Sequence, residues 1–214
     1  MTFVWRKHPF AFCPPWFPVL LLAIACWIGA VGMADAARFN TVVIDAGHGG
    51  RDKGAYWGGV RESHLNLAVA RDLEALLKKR GIRTVMTRRS DVFVSLQRRA
   101  QVANAQRNAV VVSIHFNAHT NTSIRGAETF YWGNEGRILA NAIQRRLAPR
   151  LQVRNRGIHR KGYNIMMQIR HPVVLVECGF ISNANERRRC VTRWYQQTAA
   201  KAIYDGLMAY RALR

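Results

Sequence analysis

Residues 41–50 read TVVIDAGHGG, a β-branched apolar run that passes into a glycine-rich turn. A run of this kind is typical of a buried strand that feeds a loop. Beyond it, apolar strands alternate with amphipathic helices to the end of the chain, and residues 109–114 (AVVVSI) are the strongest further strand. This alternation predicts an α/β fold, with a single domain built on a mostly parallel (mixed) sheet and helices on both faces.

Capping and helix-breaking residues place the ends of the helices. Ser63 is predicted to cap the first helix, which Gly81 ends. Pro149 is predicted to end a later helix, and the last helix starts near Arg193. A further helix is expected over residues 95–107. Further strands are expected at residues 82–87, 109–114, 127–132 and 172–176.

The first 36 residues differ in composition from the rest of the chain. Arg6 and Lys7 form a short basic start, residues 11–34 carry no charge, and MADA at residues 33–36 offers a small-residue cleavage site. These are the three parts of a secretory signal peptide. We therefore predict a signal peptide over residues 1–36 and a folded domain over residues 37–214, with an uncleaved membrane anchor as the alternative. Either form predicts an exported protein, periplasmic or extracellular and associated with the cell wall.

The chain is strongly basic. Its 214 residues include 33 Lys+Arg against 12 Asp+Glu, a net charge of +21, while 49% of residues are hydrophobic. That apolar fraction is enough for a packed core and argues against disorder. Residues 1–36 hold two of the cations and one acid, so the domain keeps +20. It is expected to bind polyanions. Because export is predicted, we expect anionic envelope polymers or a membrane surface rather than nucleic acid, contacted through arginine-rich stretches such as residues 145–146 and 187–189.

Two cysteines, Cys178 and Cys190, lie in the predicted domain. Their number and spacing match neither a disulfide framework nor a cysteine zinc site, so we expect two unpaired thiols, with one disulfide as the alternative. Strand alternation places Cys178 on the sheet face opposite its neighbour Glu177. Cys178 is therefore predicted to be a core residue rather than a nucleophile.

The candidate catalytic residues gather at one edge of the predicted sheet. His48, His115 and Glu177 lie at or just past the ends of strands, and Glu62 lies in the loop before the first helix. Ligands bind at the carboxyl edge of open α/β sheets. Two imidazoles and one carboxylate from separate segments are a typical catalytic zinc set, with one position left open for water. The competing imidazoles are those of His64, His119, His159 and His171.

Several blocks of this sequence together resemble the zinc-dependent N-acetylmuramoyl-L-alanine amidases known as the amidase 3 family. The blocks are VIDAGHGG at residues 43–50, Glu62 before LNLA at 65–68, the pattern Thr87, Arg88, Asp91, Leu96, Arg99, Ala103 and Asn104, SIHFNA at 113–118, and VECGFISN at 176–183. The resemblance implies that residues 37–214 are a catalytic zinc amidase domain. It implies that His48, Glu62 and His115 hold one Zn²⁺ and that Glu177 is the catalytic carboxylate.

The implied reaction is hydrolysis of the amide between N-acetylmuramic acid and L-alanine of the stem peptide in peptidoglycan. Two further residues are candidates near the metal. Asp45 is expected either to accept the second N–H of the His48 imidazole or to cap its turn, and Asn117 either to bind substrate or to stabilise its own loop. Two other functions remain open at this point: a zinc peptidase acting within the stem peptide, and a non-catalytic basic module that binds wall polymer.

Overall fold

The structure is a computed structural model that describes residues 1–2 and 38–213. The chain divides into two compact units, Met1–Ala36 and Ala37–Arg214, and the second is described below. Apart from its first two residues, the predicted signal peptide over residues 1–36 lies outside the described residues and stays a prediction. Of the helices in the described part, none is long and apolar enough to cross a membrane.

Strands and helices alternate along the second unit, as the sequence pattern predicts. The strands are β1 (Thr41–Ala46), β2 (Tyr56–Trp57), β3 (Val60–Arg61), β4 (Arg83–Met86), β5 (Ala109–Asn117), β6 (Ala127–Trp132), β7 (Asn155–Arg160) and β8 (Val173–Phe180). The helices are α1 (Glu62–Lys79), α2 (Leu96–Asn104), α3 (Gly133–Leu151), α4 (Asn164–Gln168), α5 (Ala184–Cys190) and α6 (Arg193–Arg211).

Six strands form one sheet in the order β4-β1-β5-β8-β6-β7. Strands β4, β1, β5 and β8 run parallel to one another, β6 runs antiparallel to β8, and β7 runs parallel to β6. The sheet is therefore mostly parallel and mixed, as predicted. Strands β2 and β3 form a separate small hairpin next to the start of α1.

Both faces of the sheet are covered by helices. Alternate side chains of β1, such as Val42 and Ile44, join a large apolar cluster with α1, α3 and α6. The intervening Val43 faces a smaller cluster that includes residues of α2 and α4. Cys178 is fully buried in the larger cluster, and both Cys178 and Cys190 are free thiols. The predicted single α/β domain and the predicted core position of Cys178 are thus confirmed.

Two predicted helix ends are wrong. Ser63 is buried inside α1, and the capping position belongs to Arg61, whose side chain makes no capping hydrogen bond. Pro149 lies inside α3, which continues past it to Leu151. The capping residue of that helix is Gln152, which has a φ of 51°. The amide N–H of Val153 donates to a carbonyl of the last turn, as in a Schellman motif.

Two strands run further than predicted, and, besides the hairpin of β2 and β3, three short elements were not predicted. Strand β5 continues past His115 to Asn117, and β8 continues past Glu177 to Phe180. The short elements are β7, α4 and α5, which lack long apolar runs because they are brief or lie at the sheet edge. With these longer bounds, β5 and β8 still place His115 and Glu177 near the same edge of the sheet.

Candidate metal centre and active site

Three side chains from distant segments meet at the carboxyl edge of the parallel strands. His48 lies in the turn after β1, Glu62 is the first residue of α1, and His115 lies in β5. One potential ligand atom of each lies within 4.8 Å of the others. Glu62 joins the two imidazoles: its Oε1 lies 2.8 Å from Nδ1 of His115, and its Oε2 lies 3.3 Å from Nε2 of His48.

The competing histidines lie elsewhere. His64 contacts Asp91 at 3.2 Å, and the Nδ1 atom of His119 accepts a hydrogen bond from the Asn121 amide. Nε2 of His159 lies 2.9 Å from the carbonyl oxygen of Arg156. Within residues 38–213, His48, Glu62 and His115 are the only group of three such side chains with metal-binding spacing. His171 is not part of that group.

Glycine is required where the backbone approaches the two imidazoles. A Cβ atom at Gly47 would lie 2.3 Å from Nε2 of His115. This is too short for a non-bonded contact, so one of the two groups would have to move. A Cβ atom at Gly54 would lie 2.5 Å from Oε2 of Glu62 and 2.5 Å from the His48 ring. Only a residue without a side chain lets the three donor groups converge so closely.

The charges of the cluster favour a bound cation. Burial alone would lower the pKa of His48, but hydrogen bonds to Glu62 and Asp52 and their charges outweigh it and raise that pKa to about 9. Burial would raise the pKa of Glu62, but the two imidazoles bound to it lower that pKa strongly. Carboxylates that favour an imidazolium here would equally favour a divalent cation held by the neutral imidazoles.

Asp52, and not Asp45, orients the His48 imidazole. Nδ1 of His48 lies 2.8 Å from Oδ2 of Asp52, which leaves Nε2 facing Glu62. The prediction that Asp45 accepts this N–H is wrong, because the Asp45 carboxylate is bound by other side chains. It accepts hydrogen bonds from Thr87, Arg99 and Ser113. It does not cap its turn either. The sequence signal for Asp52 was only its position four residues after His48.

Two buried arginines fix the turn that carries His48. Arg99 forms an ion pair with Asp45 at 2.6 Å, with both side chains only 3% exposed. It also donates to the carbonyl oxygens of Ala46 and His48, each at 2.7 Å. Arg88 donates to the carbonyl oxygens of Ala46, Gly47, Ser63 and Ser90. These bonds hold His48 in a left-handed conformation, with a φ of 58°, that costs energy for a residue with a side chain.

Glu177 lies beside the three-residue cluster. It is the register partner of His115 in the neighbouring parallel strand, so the two side chains lie on the same sheet face. Glu177 is 8% exposed, and its buried Oε2 makes no hydrogen bond with any described residue. Burial raises the pKa of Glu177 well above its usual value, and the charges of Glu62 and Glu128 raise it further. Such a carboxyl group suits proton transfer.

A cavity of about 480 Å³ opens onto these groups. His48, His115 and Glu177 line one part of it. The rest is mainly apolar and is lined by side chains around the starts of α2 and α4, including Phe93, Leu96 and Tyr163. Both imidazoles of the cluster and the Glu177 side chain therefore border the cleft.

Asn117 stabilises its surroundings instead of facing the cleft with free polar atoms. Its Nδ2 donates to Glu128 at 2.9 Å and its Oδ1 accepts from the Ala118 amide at 2.8 Å. The structure thus favours the second of the two roles expected for Asn117. Glu128, which sequence reasoning missed, is the direct cross-strand neighbour of Glu177 and is paired with Arg156 at 3.0 Å.

The donor set fits a metal. Two imidazoles and one carboxylate are present, and the cluster contains no fourth protein ligand among the described residues. This count is typical of catalytic rather than structural divalent sites, because one coordination position stays free for water or substrate. Residues 38–213 thus bring together all four principal predicted site residues, His48, Glu62, His115 and Glu177.

Comparison with known proteins agrees with this arrangement. Residues 42–209 match the family described as N-acetylmuramoyl-L-alanine amidase, Amidase_3. The chain is 36% identical over 200 residues to YqiI of Bacillus subtilis (strain 168), covering 91% of this chain and 97% of that protein. It is also 36% identical over 175 residues to the N-acetylmuramoyl-L-alanine amidase LytC of the same organism, covering 80% of this chain but 35% of LytC.

A solved structure shows the same fold. The catalytic domain of CwlV, an N-acetylmuramoyl-L-alanine amidase from Bacillus (Paenibacillus) polymyxa var. colistinus, superposes with a TM-score of 0.79 at 34% identity. The match covers 82% of this chain and 100% of that domain. The fold, the converging side chains and the sequence match over most of the domain lead to one conclusion: the chain belongs to the N-acetylmuramoyl-L-alanine amidase family, Amidase_3.

Proposed function

We propose that this protein is a zinc-dependent peptidoglycan hydrolase that cleaves the amide between N-acetylmuramic acid and L-alanine of the stem peptide. One observation carries the proposal: the potential ligand atoms of His48, Glu62 and His115 lie within 4.8 Å of one another, beside the buried and unpartnered Oε2 of Glu177. We assign the three residues as ligands of one Zn²⁺ and Glu177 as the catalytic residue.

The assigned roles follow from the contacts. Bound zinc supplies Lewis-acid polarisation of the scissile carbonyl and lowers the pKa of water. The Glu177 carboxylate takes the proton of the attacking water and passes it to the departing nitrogen of L-alanine. Asp52 keeps Nε2 of His48 directed at the metal position, because it holds the opposite ring nitrogen. Arg99 holds the backbone of the same turn.

We further propose that the domain acts outside the cytoplasm, in the periplasm or at the cell wall. The signal-like residues 1–36 and the location of peptidoglycan support this. The basic surface would hold the domain near anionic envelope polymers or a membrane surface. Two of the arginines first considered for this role use part of their hydrogen-bond donors within the protein: Arg187 donates to the Ile181 and Ser182 carbonyls, and Arg189 to those of Leu151 and Gln152.

The test is a digest of purified peptidoglycan that identifies the newly released amino terminus. We expect L-alanine, loss of release with a chelator, and one zinc per chain by metal analysis. Glu177→Gln should slow release by about 10²- to 10⁴-fold while the zinc content stays at one. Glu135→Gln, at the start of α3 and at the other edge of the sheet, is the matched control and should be as active as the parent protein.

Three results would contradict parts of the proposal. Release of a later stem-peptide residue would indicate a peptidase. Full activity of Glu177→Gln would remove Glu177 from the reaction. Wall binding without any release, in protein that carries its metal, would indicate a non-catalytic binding module.

A further inference from the structure

A second cavity of about 530 Å³ lies apart from the metal cleft. It is formed by the loop before β6, the turn between α3 and β7, and α5. None of the residues that line it lines the cleft of about 480 Å³. Its charged lining side chains are those of Arg125, Arg154, Arg189 and Glu186. Three arginines thus line one recess, against a single glutamate.

The carboxylate of Glu186 is already fully engaged. Its oxygens accept hydrogen bonds from the Gly126 amide at 3.0 Å and from the Phe180 amide at 2.6 Å. Glu186 is 4% exposed and serves to fix the loop that carries Arg125. It forms no ion pair within 4 Å with a described arginine, so Glu186 does not occupy the hydrogen-bond donors of the three arginines.

The three arginines differ in how firmly they are held. Arg189 is fixed by hydrogen bonds to the carbonyl oxygens of Leu151 and Gln152, and the bond to Gln152 is 3.2 Å long. The side chains of Arg125 and Arg154 form no hydrogen bond or ion pair with any other residue that the structure describes. Their backbones are neighbours, since the Ala127 amide donates to the Arg154 carbonyl at 2.9 Å. One guanidinium is therefore preorganised, and two are free to close on an anion.

We propose that this recess is a phosphate-ester binding site, which holds the domain on an anionic phosphate-bearing polymer of the envelope. Three guanidinium groups, each with a planar set of donors, match an anion with three or four acceptor oxygens. A carboxylate has only two oxygens and would be satisfied by one arginine. The recess is larger than a phosphate group alone, so there is room for the alcohol or sugar that carries it.

A polymer fits the recess better than a membrane surface does. The only apolar side chain that lines it is Val153, which is partly buried. Proteins that dock on a membrane usually present exposed aromatic or aliphatic side chains beside the cations, and the exposed Trp194 and Phe93 line other cavities. The choice of an envelope polymer rests on the proposed export of the domain, whereas the phosphate chemistry does not.

The test measures binding of glycerol 3-phosphate and of inorganic phosphate to the full chain by isothermal titration at low ionic strength. The double variant Arg125→Gln/Arg154→Gln is compared with Arg137→Gln/Arg145→Gln, which removes the same charge from the exposed side of α3. We expect the first variant to lose about hundredfold in affinity, roughly tenfold for each arginine, and the second to stay within about twofold. Acetate should bind more weakly than either phosphate.

Other outcomes overturn the inference. Equal losses in the two double variants would mean nonspecific attraction by net charge, and absence of binding in the parent protein would mean no site. Co-sedimentation with phosphatidylglycerol vesicles that needs Arg125 and Arg154, without binding of the soluble phosphates, would indicate a membrane surface instead. Glu177→Gln should bind phosphate like the parent protein, so failure of the amidase proposal and failure of this one can be told apart.

Discussion

Replacing Arg99 with methionine should destabilise the protein and weaken its metal site together. Methionine keeps most of the volume of the stem but removes every donor. The Asp45 side chain, 3% exposed, would then lose its ion-pair partner at 2.6 Å. Stranding one charge of a buried pair costs about 3–5 kcal/mol. For a domain of this size, that corresponds to a fall in melting temperature of roughly 6–20 °C.

The metal site should weaken because Arg99 also holds the carbonyl oxygen of His48 at 2.7 Å. Without that bond, the left-handed turn at His48 loses a restraint, and the imidazole is no longer preset for binding. We expect zinc affinity to fall by about 10- to 100-fold, the range seen when groups that orient a metal ligand are removed. Affinity is measured by competition with a chromogenic chelator, at a temperature where the variant is folded.

Two further variants decide between this reasoning and its alternatives. Arg98→Met changes an exposed neighbour in α2 whose side chain makes no hydrogen bond with another described residue, and it should leave unfolding and zinc binding unchanged. Adding Asp45→Asn to Arg99→Met removes the stranded charge and should recover at least about 1 kcal/mol. An Arg99→Met protein that loses less than about 1 kcal/mol in denaturant unfolding, or a double variant that loses the sum of both single losses, would refute the ion-pair account.

Three more predictions follow from the contacts. Asp52→Ala should reduce zinc affinity by about 10- to 100-fold in the same chelator competition without changing the fold, because it frees the His48 ring; unchanged affinity would show that Asp52 is not needed. Gly47→Ala should abolish zinc binding, since its Cβ would lie 2.3 Å from the His115 ring. Normal zinc content would mean that the surrounding backbone shifts to make room for the added carbon. The hydrogen bonds and charges of its arginine and lysine partners lower the pKa of Glu74 from 4.5 to about 2. Its contribution to stability should therefore be complete above pH 4.5 and lost as the pH falls towards 2, and Glu74→Gln should flatten the melting temperature over that range.

Local sequence patterns predicted most strands and helices, because the contacts that stabilise a strand or a helix recur at a regular spacing along the chain. The apolar runs at Val42–Ile44 and in β5 are strands in the structure, and the amphipathic face of α6 is buried. The errors lie where a single residue was used to predict the end of a helix. Ser63 has the right chemistry for a cap, but the helix begins one residue before it, at Glu62. Pro149 was expected to end a helix that continues to Leu151.

The sequence alone determined the alternation of elements, and with it the meeting of His48, His115 and Glu177 at one sheet edge, because parallel strands end on the same side and their side chains alternate with a fixed period. Tertiary structure alone decided the partners of those groups. Asp52 instead of Asp45 binds the His48 imidazole. Arg99 binds Asp45, which lies 54 residues earlier in the chain. Strand β6 runs antiparallel to β8, so that Glu128 lies opposite Glu177. Hydrogen-bond partners and strand direction depend on how distant segments pack in three dimensions, and no local period records that packing.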